Sequence, residues 1–103
     1  MKKTKNLLDN LIISNQEIFD EIFKNQSVKI ERIVSNGQVS PEGFWYDQDE
    51  YEFVLVIKGK AILEFENRDI TLNENNYVII KPHEKHRVKY TSKPTIWLCV
   101  FFK

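Results

Sequence analysis

The chain has few of the side chains that hold most metal centres. Its 103 residues include two histidines and one cysteine, Cys99. One cysteine excludes an intrachain disulfide and every multi-cysteine zinc or iron–sulfur site. Two histidines exclude a centre built from three histidines of a single chain. Any metal site in this protein must therefore recruit oxygen ligands.

The sequence also lacks an excess of either charge and lacks long hydrophobic runs. Lys plus Arg and Asp plus Glu both number 15, so the net charge is zero. Proteins that track phosphates usually carry a basic excess, so we expect no nucleic-acid partner. The longest apolar run, residues 96–102, is too short to span a bilayer, and the first residues do not form a targeting signal. We therefore expect no membrane partner and a cytoplasmic location, which the lone cysteine fits.

The first part of the chain carries the pattern of a short helix. Ser14 and Glu17 have the spacing of a capping box. An apolar stripe follows at helical spacing: Ile18, Phe19, Ile22 and Phe23. We therefore predict a helical N-terminal extension within residues 1–27, ahead of a single domain over residues 28–103.

From residue 28 onward the pattern changes to short strands separated by turns. Apolar, β-branched and aromatic segments recur with turns about every eight to twelve residues, which is typical of a β-sandwich or small barrel. The predicted strands are 28–34, 44–48, 53–57, 61–66, 70–72, 77–80, 87–90 and 95–102. Residues 96–102 are apolar at every position, so we expect a central strand buried on both faces. The sequence thus predicts an all-β domain.

Two loose motifs lie in this all-β part. Glu52 is followed after six residues by Gly59, and Asn75 is followed by Pro82-His83-Glu84-Lys85-His86. Their order and spacing resemble the cupin superfamily, whose motifs are G-x5-H-x-H-x3,4-E-x6-G and G-x5-P-x-G-x2-H-x3-N. The resemblance covers residues 28–102 and implies a double-stranded β-helix, the cupin or jelly-roll barrel. The stretch between the motifs is as short as in small bacterial cupins.

The resemblance also implies a place for a metal ion. Cupins hold a metal between two histidines, a glutamate and a third histidine. Here Glu52 and His86 stand at motif positions, while Tyr46 and Gln48 replace the first two histidines. His83 takes the place of a glycine. The predicted ligands are accordingly Gln48, Glu52, His83 and His86, which suit iron, manganese, nickel or zinc.

Each of these residues also has a simpler interpretation. His83 and His86 have metal-ligand spacing, but in a loop both can face solvent. Glu52 can be a solvated carboxylate or the ion-pair partner of Lys60 or Arg87. Because side chains alternate across strands, Tyr46 and Tyr90 are expected to line the barrel as ligand contacts.

Three functions follow from the resemblance, and the sequence leaves the choice open. The first is a metal-dependent enzyme of the oxygenase or isomerase type acting on a small polar metabolite. The second is a metal-free cupin that binds a small molecule, as a sensor or accessory protein without catalysis. The third is a barrel without any ligand. A homodimer is expected, because small cupins commonly dimerise through an apolar outer sheet face.

Overall fold

The protein folds into two antiparallel β-sheets. The structure, a computed structural model, describes residues 4–103, and within that range it contains no helix. The eight strands are β1 (Ile18–Lys24), β2 (Val28–Ser35), β3 (Tyr51–Lys58), β4 (Ala61–Phe65), β5 (Asp69–Leu72), β6 (Tyr77–Ile80), β7 (His86–Thr91) and β8 (Thr95–Phe102). One sheet has the order β1-β2-β8-β3-β6 and the other the order β5-β4-β7. The all-β prediction is confirmed. In the described part of the chain, no helix is long and apolar enough to cross a membrane.

The hydrophobic core lies between the two sheets. Alternate residues of β3 and β4 turn inward, among them Val54 and Val56 from one sheet and Leu63 and Phe65 from the other, and all four are nearly inaccessible to solvent. Period-two alternation places such side chains on one face of each strand, where the facing sheet covers them. Val54 and Leu63 of this core also line the cavity described below.

Strand β8 is central, as its apolar sequence predicts. It pairs with β2 on one side and with β3 on the other along most of its length. Ile96, Trp97 and Cys99 are buried in it. A strand with a neighbour on each side has no free edge, so its backbone N–H and C=O groups form hydrogen bonds within the sheet.

The predicted N-terminal helix is wrong, because β1 occupies its place. Ser14 still accepts a hydrogen bond from the backbone N–H of Gln16, but the chain then pairs with β2 instead of coiling. A β-bulge between Glu21 and Phe23 inserts Ile22 as an extra residue. The apolar stripe therefore lies on an extended strand whose period-two alternation the bulge interrupts, although its spacing in the sequence is also that of a helix.

Arg32 on β2 ties the segment before β1 to the sheet. Its guanidinium forms an ion pair with Asp20 at 2.7 Å and donates to the backbone carbonyls of Leu7 and Asp9 at 2.9 and 2.6 Å. A planar five-donor group can satisfy several acceptors at once, so one side chain fixes the path of this segment.

The predicted strand at residues 44–48 is also absent. Only Tyr46 is paired there, as an isolated bridge to His86 with backbone hydrogen bonds of 2.7 and 3.2 Å. A turn at residues 42–43, with Gly43 at φ 80°, precedes this segment and a bend at residues 49–50 follows it, and between them the chain forms one bridge instead of a ladder.

Gly59 has the structural role expected of the last glycine of the first motif. Its φ is +89°, and a Cβ at this position would collide with the Ser92 hydroxyl and the Pro94 carbonyl oxygen. Only glycine combines this backbone angle with so close an approach of another segment. Asn75, which replaces a motif glycine, also has a positive φ of 69°.

Candidate functional site

A cavity of about 430 Å³ opens between the two sheets, within the size range of small-molecule sites. Its apolar wall consists of Phe19, Ile33, Val54, Leu63, Ile80, Val88, Trp97 and Phe101. Its polar and ionisable residues are Glu17, Lys29, Glu31, Tyr46, Gln48, Glu52, His86 and Cys99. Such a combination suits a ligand with both apolar and polar parts.

Three polar side chains meet at this cavity, the buried Glu52 and His86 and the half-buried Gln48, and we call them the polar trio. Gln48 Nε2 donates to Glu52 Oε1 at 3.0 Å, and His86 Nε2 lies 3.5 Å from the same oxygen. The side chains of His86 and Glu52 are only 5% and 10% exposed. The structure thus brings together three of the four residues that the sequence analysis names as metal ligands.

The orientation of the His86 ring is fixed from several sides. Its Nδ1 lies 2.9 Å from the backbone carbonyl of Glu84, and because a carbonyl only accepts, Nδ1 carries the proton. The ring of Tyr46 stacks on it with centroids 5.4 Å apart, and Phe65 packs against it at 6.0 Å. His86 Nε2 is thereby held toward Glu52.

The carboxylates affect the protonation of their neighbours in the cavity. Burial by itself lowers the pKa of His86, but the hydrogen bonds to Glu52 and to the Glu84 carbonyl outweigh it, so that pKa is raised. Burial raises the pKa of Cys99 well above its ordinary value, and the charges of Glu52 and Glu31 add to this shift. Burial, with the charges of Glu17 and Glu52, also raises the pKa of Tyr46. Cys99 is therefore a buried, protonated thiol with little reactivity.

His83, one of the predicted metal ligands, lies apart from the cavity. Its side chain is 68% exposed, and its Nδ1 is 2.8 Å from the carboxylate of Asp47, which is itself 42% exposed. Its φ is 61°, the left-handed conformation for which the motif has glycine. The structure thus agrees with the solvent-facing interpretation of His83.

Tyr90, a predicted ligand contact, also lies outside the cavity. The register between β7 and β4 shifts by one residue: Leu63 pairs with Val88, but the next residue toward the start of β4, Ile62, pairs with Tyr90. Lys89 is the extra residue, and this bulge reverses the alternation beyond it. As a result Tyr90 is 45% exposed and Thr91 is buried in its place.

Three charged residues at the cavity were not predicted as site residues. Lys29 and Glu31 alternate with Val28, Ile30 and Arg32 on β2, and they line the cavity together with Glu17. Alternation of charged and apolar residues identifies two faces of a strand but does not say which one faces a cavity.

The donor set does not fit the metal centre that the motifs of the superfamily imply. Within residues 4–103 no group of three or more His, Cys, Asp and Glu side chains converges. Gln48 directs its amide nitrogen, not its oxygen, at Glu52. Glu52 and His86 therefore remain as two donors, whereas catalytic zinc sites have three protein ligands.

Comparisons with known proteins agree with this fold. The family model of the cupin domain matches residues 32–101. A crystal structure from Ralstonia eutropha JMP134, of a protein provisionally named mannose-6-phosphate isomerase, is 36% identical with a TM-score of 0.94, and the match covers 99% of each chain. No curated protein matches the sequence.

Two further crystal structures share the fold at low identity. One is a cupin superfamily protein from Desulfitobacterium hafniense DCB-2, 16% identical with a TM-score of 0.82, covering 99% of this chain and 93% of that one. The other is a conserved protein of unknown function from Streptococcus pyogenes, 16% identical with a TM-score of 0.83, covering 100% and 89%. From its family match, its two-sheet barrel and these relatives, the chain belongs to the cupin family.

Proposed function

We propose that this protein binds a small molecule in the barrel cavity without a resident metal ion. The observation that carries the proposal is the cavity itself, in which the polar trio faces a set of eight apolar side chains. A pocket with a few convergent polar groups is the usual form of a small-molecule site. The apolar wall would hold the body of the ligand and the polar trio would orient it.

Glu52 is the residue best suited to anchor the ligand. Both of its polar contacts within the trio are made by Oε1, from Gln48 and from His86. A carboxylate has about four acceptor positions, and among the described residues the weak thiol of Cys99 is the one further donor to it. A largely buried carboxylate with spare acceptor positions facing a cavity gains from a donor on a ligand, because hydrogen bonds to a charged group are among the stronger ones.

Isomerisation is a second candidate function, favoured by the provisional name of the Ralstonia eutropha relative. A reaction of this type moves a proton between neighbouring carbons and needs a base and an acid at the substrate. Glu52 could take up the proton and His86 could return it, since the two side chains are in contact and both line the cavity.

Binding can be measured through the fluorescence of Trp97, which lines the cavity. The chain has two tryptophans, so Trp45→Phe leaves Trp97 as the single reporter. We expect small polar aromatic compounds to change this fluorescence, and Glu52→Gln, which removes the charge but keeps the shape, to weaken the response. Glu66→Gln makes the same change on an exposed turn and serves as the control. Binding that is indifferent to Glu52→Gln, or no binding by any compound, would contradict the proposal.

Elemental analysis tests whether the protein binds its ligand without a metal ion. We expect no stoichiometric metal in the purified protein after exposure to iron, manganese, nickel or zinc, and ligand binding that survives a chelator. Stoichiometric metal that is lost in both Glu52→Gln and His86→Ala would instead support the metal-dependent function.

We also propose that the protein forms a homodimer through β1. This strand is an edge of its sheet, and large apolar side chains are exposed on and before it: Ile12, Ile13, Phe19, Ile22 and Phe23. A self-complementary edge can pair with its copy across a two-fold axis. In sedimentation equilibrium, Ile22→Lys should weaken the dimer, whereas Ile79→Lys on the opposite edge strand β6 should not. Equal effects would argue against β1 as the interface.

A further inference from the structure

Carboxylates outnumber cationic groups around the cavity. Glu52 lies on β3, Glu31 on β2, and Glu17 just before β1, where it accepts a hydrogen bond of 2.5 Å from the Ser35 hydroxyl. Among the described residues that line the cavity, Lys29 is the only lysine or arginine. Three carboxylates thus face one ammonium, and the cavity stays negative even when His86 carries a second positive charge.

Lys29 compensates this charge only in part. Its Nζ is 3.8 Å from Glu31 Oε2, which is beyond hydrogen-bond distance, and it also lies over the ring of Phe101 at 4.7 Å. The side chain of Glu31 is only 12% exposed, and the ion pair with Lys29 is its one polar side-chain contact within residues 4–103. In that part of the chain no fully buried side-chain oxygen lacks a partner, so the Glu31 oxygens still reach the cavity, where they can accept from a ligand.

The neighbouring groups respond to the same negative field. Burial raises the pKa of Glu31, and Glu52 raises it further although Lys29 acts in the opposite direction. Cys99 and Tyr46, on two other elements, are held in their neutral forms by burial with a contribution from the carboxylates. A site that disfavours anions of its own side chains also disfavours an anionic ligand.

We propose that the cavity selects a small organic cation, a primary ammonium on an apolar body, over an anionic ligand. The ammonium lies between Glu31 and Glu52, and the apolar body packs against Trp97 and Phe101. Aromatic faces also attract cations, so they support the same charge preference. This inference rests on the proposed small-molecule site and names its ligand class. A sugar phosphate, suggested by the name of the Ralstonia eutropha relative, is of the opposite charge.

Three aromatic probes of similar size and one larger sugar phosphate separate charge from shape. The Trp45→Phe protein is titrated at neutral pH with 2-phenylethylammonium, the neutral 2-phenylethanol, the anionic 3-phenylpropionate and mannose 6-phosphate, with Trp97 fluorescence as the signal. We expect the ammonium to bind about tenfold more tightly than the alcohol, and both anions to bind more weakly than the alcohol. Glu31→Gln should reduce the preference for the ammonium by about tenfold, and the exposed Glu66→Gln should leave it unchanged.

The outcomes distinguish this inference from the function on which it rests. If the alcohol binds as tightly as the ammonium, or an anion binds more tightly, the charge selection is wrong while the cavity remains a ligand site. If no probe binds, both the proposed small-molecule site and the proposed ligand class are wrong. An ammonium response that a chelator abolishes would show that the site needs a metal ion and would overturn the metal-free site on which the inference rests.

Discussion

The two histidines of this protein lie three residues apart in the sequence and in opposite environments. His86 begins β7 with a side chain that is 5% exposed and in contact with Glu52 and Tyr46. His83 lies in the preceding turn, where its side chain is 68% exposed and meets only the partly exposed carboxylate of Asp47. One histidine is part of the cavity wall and the other is part of the surface.

The difference arises from the backbone and not from the chemistry of the residue. His86 is held by its bridge to Tyr46, which fixes the start of a strand whose side chains alternate across the barrel. His83 has a positive φ, at which a turn reverses the chain before the strand begins. Histidine spacing alone therefore does not identify a pair of ligands, because the strand start determines which of them reaches the cavity.

The largest expected difference between the two positions is in stability. His86→Ala leaves Glu52 buried beside an empty space, and losing one partner of such a pair should lower the free energy of unfolding by about 3 kcal/mol. His83→Ala removes an exposed contact and should change it by less than about 0.5 kcal/mol. Urea denaturation of both variants measures the two values. Similar losses at both positions would show that His83 belongs to the same network as His86.

Gln48 tests whether the polar trio acts as a unit, with a smaller expected effect. Gln48→Ala removes a hydrogen bond to a buried carboxylate and should cost about 1.5 kcal/mol in unfolding free energy. In the Glu52→Gln background the same substitution should cost less, because the charge that strengthens the hydrogen bond is gone. Independent, additive losses would mean that Gln48 does not support Glu52.

The contrast between the histidines also shows what the sequence can predict. Strands β6 and β8 have the predicted bounds, because each is a continuous apolar segment with turn residues immediately before it. Gly59 and Asn75 have the positive φ values that their motif positions imply. Glu52 and His86, assigned from motif spacing, do meet in the barrel.

Two of the errors have the same physical origin, a single inserted residue. The bulge at Ile22 interrupts the alternation of β1, and the bulge at Lys89 turns Tyr90 away from the cavity. Because side chains alternate with a period of two, one extra residue reverses every position after it. The charged residues Lys29 and Glu31 were missed for a different reason, since the sequence does not mark which face of β2 meets a cavity.

The pH dependence of stability tests the electrostatic environment of His86. The pKa of His86 is raised in the folded protein, so its stabilising contribution is complete below the unfolded value of about 6.5 and is lost as pH rises through the higher folded value. We expect the free energy of unfolding to fall over this range in the wild type and to fall less in His86→Gln. Urea denaturation at a series of pH values measures the slope, and a wild-type slope that persists in His86→Gln would contradict the assignment.

The smallest expected effect comes from restoring the motif glycine at the surface histidine. His83 has a φ of 61°, which is unfavourable for a residue with a Cβ, and its side chain makes only an exposed contact with Asp47. His83→Gly removes the backbone strain and should leave the unfolding free energy unchanged or raise it by up to about 1 kcal/mol. Binding measured through Trp97 should not change, because His83 does not line the cavity. If His83→Gly weakens ligand binding, His83 belongs to the binding site. Both histidines would then be site residues that differ only in their place within it.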